Sequence, residues 1–170
     1  MGTLNTMKWF CVFAMALVPA QLLAAGFDGA YEEKSWSEIE VQLPAFPEQG
    51  NLIQFQIGAV SDTKYMIDGG SLSVGADGVL RYTVVVESSA GARNISYEGM
   101  RCATSERRFY AFGQPDKMWS KAKSNQWVKI RGTTNNHHVE LFTAYFCQNG
   151  PNSIRDASDM LRVLRQGGKR

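Results

Sequence analysis

Alternation of apolar and polar positions dominates the middle of the chain. Leu52 to Ile57 places Ile53, Phe55 and Ile57 on one face, and the polar Gln54 and Gln56 on the other. Lys64 to Asp68 is a short strand broken by Gly69-Gly70, and Ser71 to Val74 is another. Val79 to Glu87 is the strongest strand signal, with Leu80, Tyr82, Val84 and Val86 on one face. Asp77-Gly78 before it is a tight-turn signal, and Gly91 after it suits a turn needing φ > 0. Arg93 to Cys102 returns as a partner strand. Ile95 and Tyr97 share one parity there and Met100 and Cys102 the other, so Gly99 reads as a bulge that resets the facing. Arg107 to Phe112 and Trp127 to Ile130 complete the strands.

The period then changes. Val139, Phe142 and Phe146 stand at i, i+3 and i+7, and Leu141 with Tyr145 at i+4, which predicts a helix over 137–147. After Gly150-Pro151 a second helix starts at Ser153, with Asp156 as its capping-box partner and Gly167 as its stop. Its apolar stripe is Ile154, Ala157, Met160, Leu161 and Leu164. Strands first and helices last predict an α+β domain: an antiparallel sheet of about five strands with two C-terminal helices packed on one face.

The first residues follow another logic. Lys8 precedes an apolar run from Trp9 to Leu23, and Ala24-Ala25 offers the small residue that a signal peptidase requires. Residues 1–25 are therefore expected to be a cleavable secretory signal, and the mature protein to reside in the periplasm. The apolar run, about 15 residues, is shorter than the roughly 20 needed to span a bilayer. Gly26 follows the small residues where a lipoprotein would carry Cys, so no lipid anchor is expected. Residues 26–51 read as an extended lead-in. Leu43-Pro44-Ala45-Phe46-Pro47 cannot be helix interior, and Trp36, Leu43 and Phe46 are its expected anchors on a surface. A single domain over 52–166 and a tail over 167–170 complete the organisation.

Export changes the meaning of the cysteines. Cys102 and Cys147 remain after cleavage, and an even pair in an oxidising compartment reads as one disulfide. Charge adds little: 18 basic residues against 16 acidic ones predict no nucleic-acid binding. The aromatic run Arg107-Arg108-Phe109-Tyr110-Ala111-Phe112 is accordingly taken as strand packing rather than an RNA-binding motif. The basic C-terminal bias reads as a solvated helix face.

The order Trp36, Leu43-Pro44-Ala45-Phe46-Pro47, Ile67-Asp68, Ser71-Leu72 and Asp77 to Thr83 resembles the cryptic neisserial protein-like family. So do Gly91 to Cys102, Tyr110 to Gly113, Trp119, Trp127 and Phe146-Cys147, with Tyr97-Glu98-Gly99-Met100-Arg101-Cys102 the most specific block. The resemblance implies an exported proteobacterial protein of the Gram-negative envelope. It implies no established activity.

Candidate chemistry is sparse. His137, His138 and Glu140 have metal-ligand side chains, but adjacent histidines do not share a helix face and no further ligand stands at a recognisable spacing. They are read as a polar first turn capped by Asn135 or Asn136, with no metal and no cofactor. No Gly-x-Ser-x-Gly elbow is present, and no catalytic residue is assigned. The candidate binding groove is Glu98 and Arg101 with Tyr97, Tyr110, Trp119 and Trp127, a charged pair flanking a glycine near several aromatics. The expected function is a non-catalytic binding or structural role in the envelope, toward an unknown envelope component or a small ligand. An envelope hydrolase with an unrecognised site is the alternative.

Overall fold

A computed structural model of the chain describes residues 1–2, 36–58, 62–132, 136–150 and 154–168. The expected signal, the first part of the lead-in and the expected helix start at Ser153 lie outside the described residues. The chain divides into Met1–Lys34 and Ser35–Arg170, and every element named below belongs to the second unit. Among the described residues, no helix is long and apolar enough to cross a membrane.

Seven strands pair antiparallel in one sheet: β1 (Leu52–Phe55), β2 (Lys64–Val74), β3 (Leu80–Glu87), β4 (Arg93–Arg101), β5 (Glu106–Gly113), β6 (Trp119–Lys121) and β7 (Val128–Lys129). From β1 to β6 the spatial order is the chain order, a meander built from short turns. Asp77 closes one turn by accepting from the Val79 amide, and Gly78 takes the left-handed φ of 74° that its position requires. β6 and β7 share β5, the first opposite Ala111 to Gly113 and the second opposite Glu106 and Arg107.

The sheet corrects two expectations. Among the described residues it has seven strands rather than about five, the short β6 being unanticipated, and Gly69-Gly70 does not split β2, so the two strands expected over 64–74 are one. The pairing of β2 with β3 shifts between Asp68 and Ser73 instead. Side chains satisfy the displaced backbone there. Asp68 accepts from the Gly70 amide, and Ser71 Oγ accepts from the Thr83 amide while donating to the Asp68 carbonyl. Gly99 is not the bulge either. The step from Tyr97 to Glu98 on β4 faces the step from Ala111 to Phe109 on β5, which makes Tyr110 the extra residue.

One face of the sheet carries the helices. α1 (His137–Glu140) runs directly into a π-helical segment, Leu141–Phe146, and α2 spans Ala157–Arg165. The wider π turn, closed by the Cys147 amide on the Phe142 carbonyl, buries Leu141 together with the adjacent Tyr145 and Phe146. These side chains pack with Met160 and Leu164 of α2 on Ile67, Tyr82, Val84 and Met100 of the sheet. α2 starts later than expected. Asp156 is its N-cap, accepting from the Asp159 amide at 2.9 Å, and Ile154 and Arg155 are not helical. Gly167 ends it at φ 80°, as expected. A disulfide joins Cys102, just after β4, to Cys147 at the end of the π segment.

The lead-in covers the opposite face. The Trp36 indole donates to the Asp77 carbonyl, and the Trp119 indole donates to the Pro44 carbonyl at 2.9 Å. Phe46 lies against the Trp119 ring. Leu43, expected as an anchor, is 39% exposed. Glu38 reaches the sheet and binds the Arg108 guanidinium and the Tyr110 hydroxyl, with Arg81 at 3.5 Å. Arg81 is buried and pairs with Asp77 at 2.6 Å. Two guanidiniums and two carboxylates thus compensate one another beneath the lead-in.

Candidate functional site

Strand alternation separates the residues that the sequence grouped together. On β4, Tyr97 faces the lead-in and Glu98 faces the helices, opposite Tyr82 and Phe109. Glu98 is only 1% exposed. A carboxylate at such a position needs a partner, and the N-terminus of α1 supplies one. Asn136 caps that helix by accepting from the His138 amide, which fixes where the histidines project. His138 is 6% exposed, and its Nε2 lies 2.8 Å from Glu98 Oε2. Ser96, two positions along β4 and on the same face, donates from Oγ to Glu98 Oε1 at 2.6 Å.

His137 completes the group. Its ring stacks on that of His138 with centroids 3.9 Å apart, and Tyr65 packs near it at 5.5 Å. Phe109 meets the His138 ring edge-on. One ligand atom from each of Glu98, His137 and His138 can be chosen so that all three lie within 4.8 Å of one another. Burial alone would push the Glu98 carboxyl up. The His138 ring and the bonds from His138 and Ser96 outweigh it and hold the carboxyl below its ordinary value. Burial, with His138 alongside, lowers His137 to about 4, so its ring is neutral at neutral pH.

The helices do not cover the whole face. Beyond His137 the surface opens into a groove of about 680 Å³ between α1 and the β4–β5 hairpin. Glu98 and Ser96 lie at its inner end, Asn94 and Gln114 are polar wall residues, and Phe109 and Phe112 supply apolar surface. Phe112 is 40% exposed there.

Of the six residues expected to form a binding groove, only Glu98 belongs to this one. The other five work on the lead-in face. Tyr97 packs against Tyr110 and Trp119, which hold Glu38 and Pro44 respectively. The Arg101 guanidinium lies 3.5 Å over the Trp36 ring and 5.5 Å from that of Trp127, and it pairs with Glu106. Glu98 and Arg101 therefore do not turn to a common side. With the strand continuous through Gly99, residues of odd separation point to opposite faces. Ser96 was missed, and His138, expected in a polar first turn, is instead buried against Glu98. The available signal was parity: Glu98 shares a face with Met100, so it occupies an inward position and demands a buried partner.

The arrangement constrains its chemistry. The carboxylate stands between serine and histidine, so Ser96 is bonded to Glu98 rather than to a ring nitrogen. In a Ser-His-Asp triad the imidazole stands next to the hydroxyl and the carboxylate behind it, an order that these three residues do not have. Searches of curated proteins and of solved structures return no match. The model of the CNP1-like family matches residues 31–165, a span that takes in the whole sheet, the Glu98–His138 pair and both helices, and the chain belongs to that family.

Proposed function

We propose that the chain is an exported protein of the bacterial envelope with a non-catalytic binding role, and that the groove beside α1 is its binding site. One observation carries this reading: a groove of about 680 Å³ with a buried carboxylate at its inner end and aromatic and amide side chains on its walls. That volume lies within the roughly 300–1,000 Å³ typical of small-ligand pockets. The periplasm is the proposed compartment. The order of charge, apolar run and small residues at the N-terminus supports it, as does a disulfide that an oxidising compartment would maintain. The hydrolase alternative gains a histidine at hydrogen-bond distance from a carboxylate, but among the described residues Ser96 is bonded to that carboxylate and not to the ring.

The test fills the groove without touching the buried pair. Asn94 is an exposed wall residue, so Asn94→Trp should change stability by no more than about 0.5 kcal/mol. In a deletion strain with an envelope phenotype, the variant should be exported at normal abundance and fail to complement. Full complementation would refute the groove as the binding site. Intact mass of protein from a periplasmic extract tests export: loss of residues 1–25 is expected, and a retained leader would refute it.

A further inference from the structure

We propose that Glu98, His137 and His138 bind one divalent transition-metal ion of the zinc class, with its open coordination position facing the groove. Four observations support the assignment. First, one donor atom from each side chain can lie within 4.8 Å of the other two, and Glu98 Oε2 and His138 Nε2 are already 2.8 Å apart. Donors bound at about 2.0–2.2 Å to a tetrahedral zinc lie roughly 3.3–3.6 Å apart, so an ion requires the Glu98–His138 pair to open slightly and holds His137, within 4.8 Å, at the same spacing.

Second, the surroundings hold the donors in place. Ser96 occupies the second carboxylate oxygen, as the outer partner of a metal-bound carboxylate does, and the Asn136 cap sets the helix turn that carries both rings. Coordination through His138 Nε2 leaves the ring proton on Nδ1. Third, the donor set is selective. Two imidazoles and one carboxylate suit zinc and its neighbours, whereas calcium and magnesium require oxygen shells. The thiolates of Cys102 and Cys147 are unavailable as competing donors, because they form the disulfide.

Fourth, three protein ligands leave a tetrahedral ion one position short, and two of the three, Glu98 and His137, line the groove. Water or an anionic group of a groove ligand would fill that position. Only this last step rests on the groove being the binding site.

The sequence makes the test clean. The chain has two histidines, and both are in this cluster, so histidine-dependent metal binding reports on one place. Untagged protein, stripped with chelator and passed into metal-free buffer, is titrated with Zn²⁺ by calorimetry, and with Co²⁺ to read the visible absorption of a low-symmetry site. One equivalent of each should bind. His137→Gln, at the half-buried ligand, should lose more affinity than the roughly 10–100-fold that accompanies loss of an outer partner. Glu98→Gln should do the same if circular dichroism shows it folded, and His137→Gln decides if it does not. Failure of the natural protein to bind one equivalent overturns the proposal, as does His137→Gln binding like the natural protein. Asn94→Trp separates the two readings. Stoichiometric zinc binding by a variant that also complements fully would leave the metal site standing and remove the groove.

Discussion

A methyl group on Gly99 would fall 2.3 Å from the Tyr110 hydroxyl and 2.8 Å from the ring carbon that bears it. The ring cannot swing away freely, because its hydroxyl is held by Glu38. Gly99→Ala should therefore destabilise the domain by roughly 1–3 kcal/mol, the usual range for overpacking. Tyr110→Leu should recover part of that loss in the double variant, and urea melts of the four proteins give the coupling directly. An uncoupled pair would contradict the contact. Asp77 offers a second test at this scale. Burial alone would raise its carboxyl, but the Arg81 guanidinium and the amides of Ile39 and Val79 outweigh that and hold it below the ordinary value. A depressed carboxyl stabilises the fold fully above its unfolded pKa of about 4, and this contribution is lost as pH falls below it. Asp77→Asn should be less stable at neutral pH, and should lose less stability than the natural protein between about pH 5 and pH 3. Parallel acid arms in the two melting profiles would count against the pairing.

Among the elements, the π-helical segment carries the disulfide, and the disulfide ties the helix layer to the end of β4. Cys147→Ala should cost on the order of 2–5 kcal/mol, with roughly 4 expected from closing a loop of this length. The measurement is denaturant unfolding of the variant beside the natural protein. Two reactive thiols in the denatured, non-reduced mature protein would refute the bond. The same elements show what local pattern conveys. The alternation in β3 was legible because Leu80, Tyr82, Val84 and Val86 report their facing at every second residue. The continuity of β2 was not, because Gly69-Gly70 looks like an ordinary break and the repair comes from Ser71 bonding to Thr83 on another strand. The helix over 137–147 was legible as an element, but its π turn was not, since Tyr145 and Phe146 become inward together only against a filled core.

For the whole molecule, the sheet is a local object with two non-local covers. The meander pairs each strand with its chain neighbour, while the lead-in and the helices bring residues from either end onto opposite faces. Glu98 and His138 are 40 positions apart, and Glu38 and Tyr110 are 72 apart, so neither pairing has a sequence signature. The six aromatic and charged residues grouped at the sequence level are contiguous along the sheet, which made them look like one surface. The pleat divides them, and five of the six hold the lead-in. Removing the chain through Pro47 should therefore lower stability by several kcal/mol, at about 25 cal/mol for each Å² of apolar surface uncovered. Arg81 and Arg108 would both lose Glu38, and Tyr97 and Trp119 would face water. Thermal melts and dye binding to exposed apolar surface measure this, and an unchanged melt would mean that the lead-in is dispensable.

The placement of the two covers also gives the domain a direction. Trp36 enters along the face that holds Asp77 and Trp119, whereas the groove opens on the face that holds α1 and α2. Attachment of the domain to a solid support through the exposed side chains of the lead-in after Trp36 would present the groove outward, toward whatever flows past. Attachment through the end of α2 would place the anchor on the same side as the groove and crowd its mouth. An immobilised binding assay should therefore be built from the lead-in face, and a difference between the two orientations would itself report which face receives the ligand.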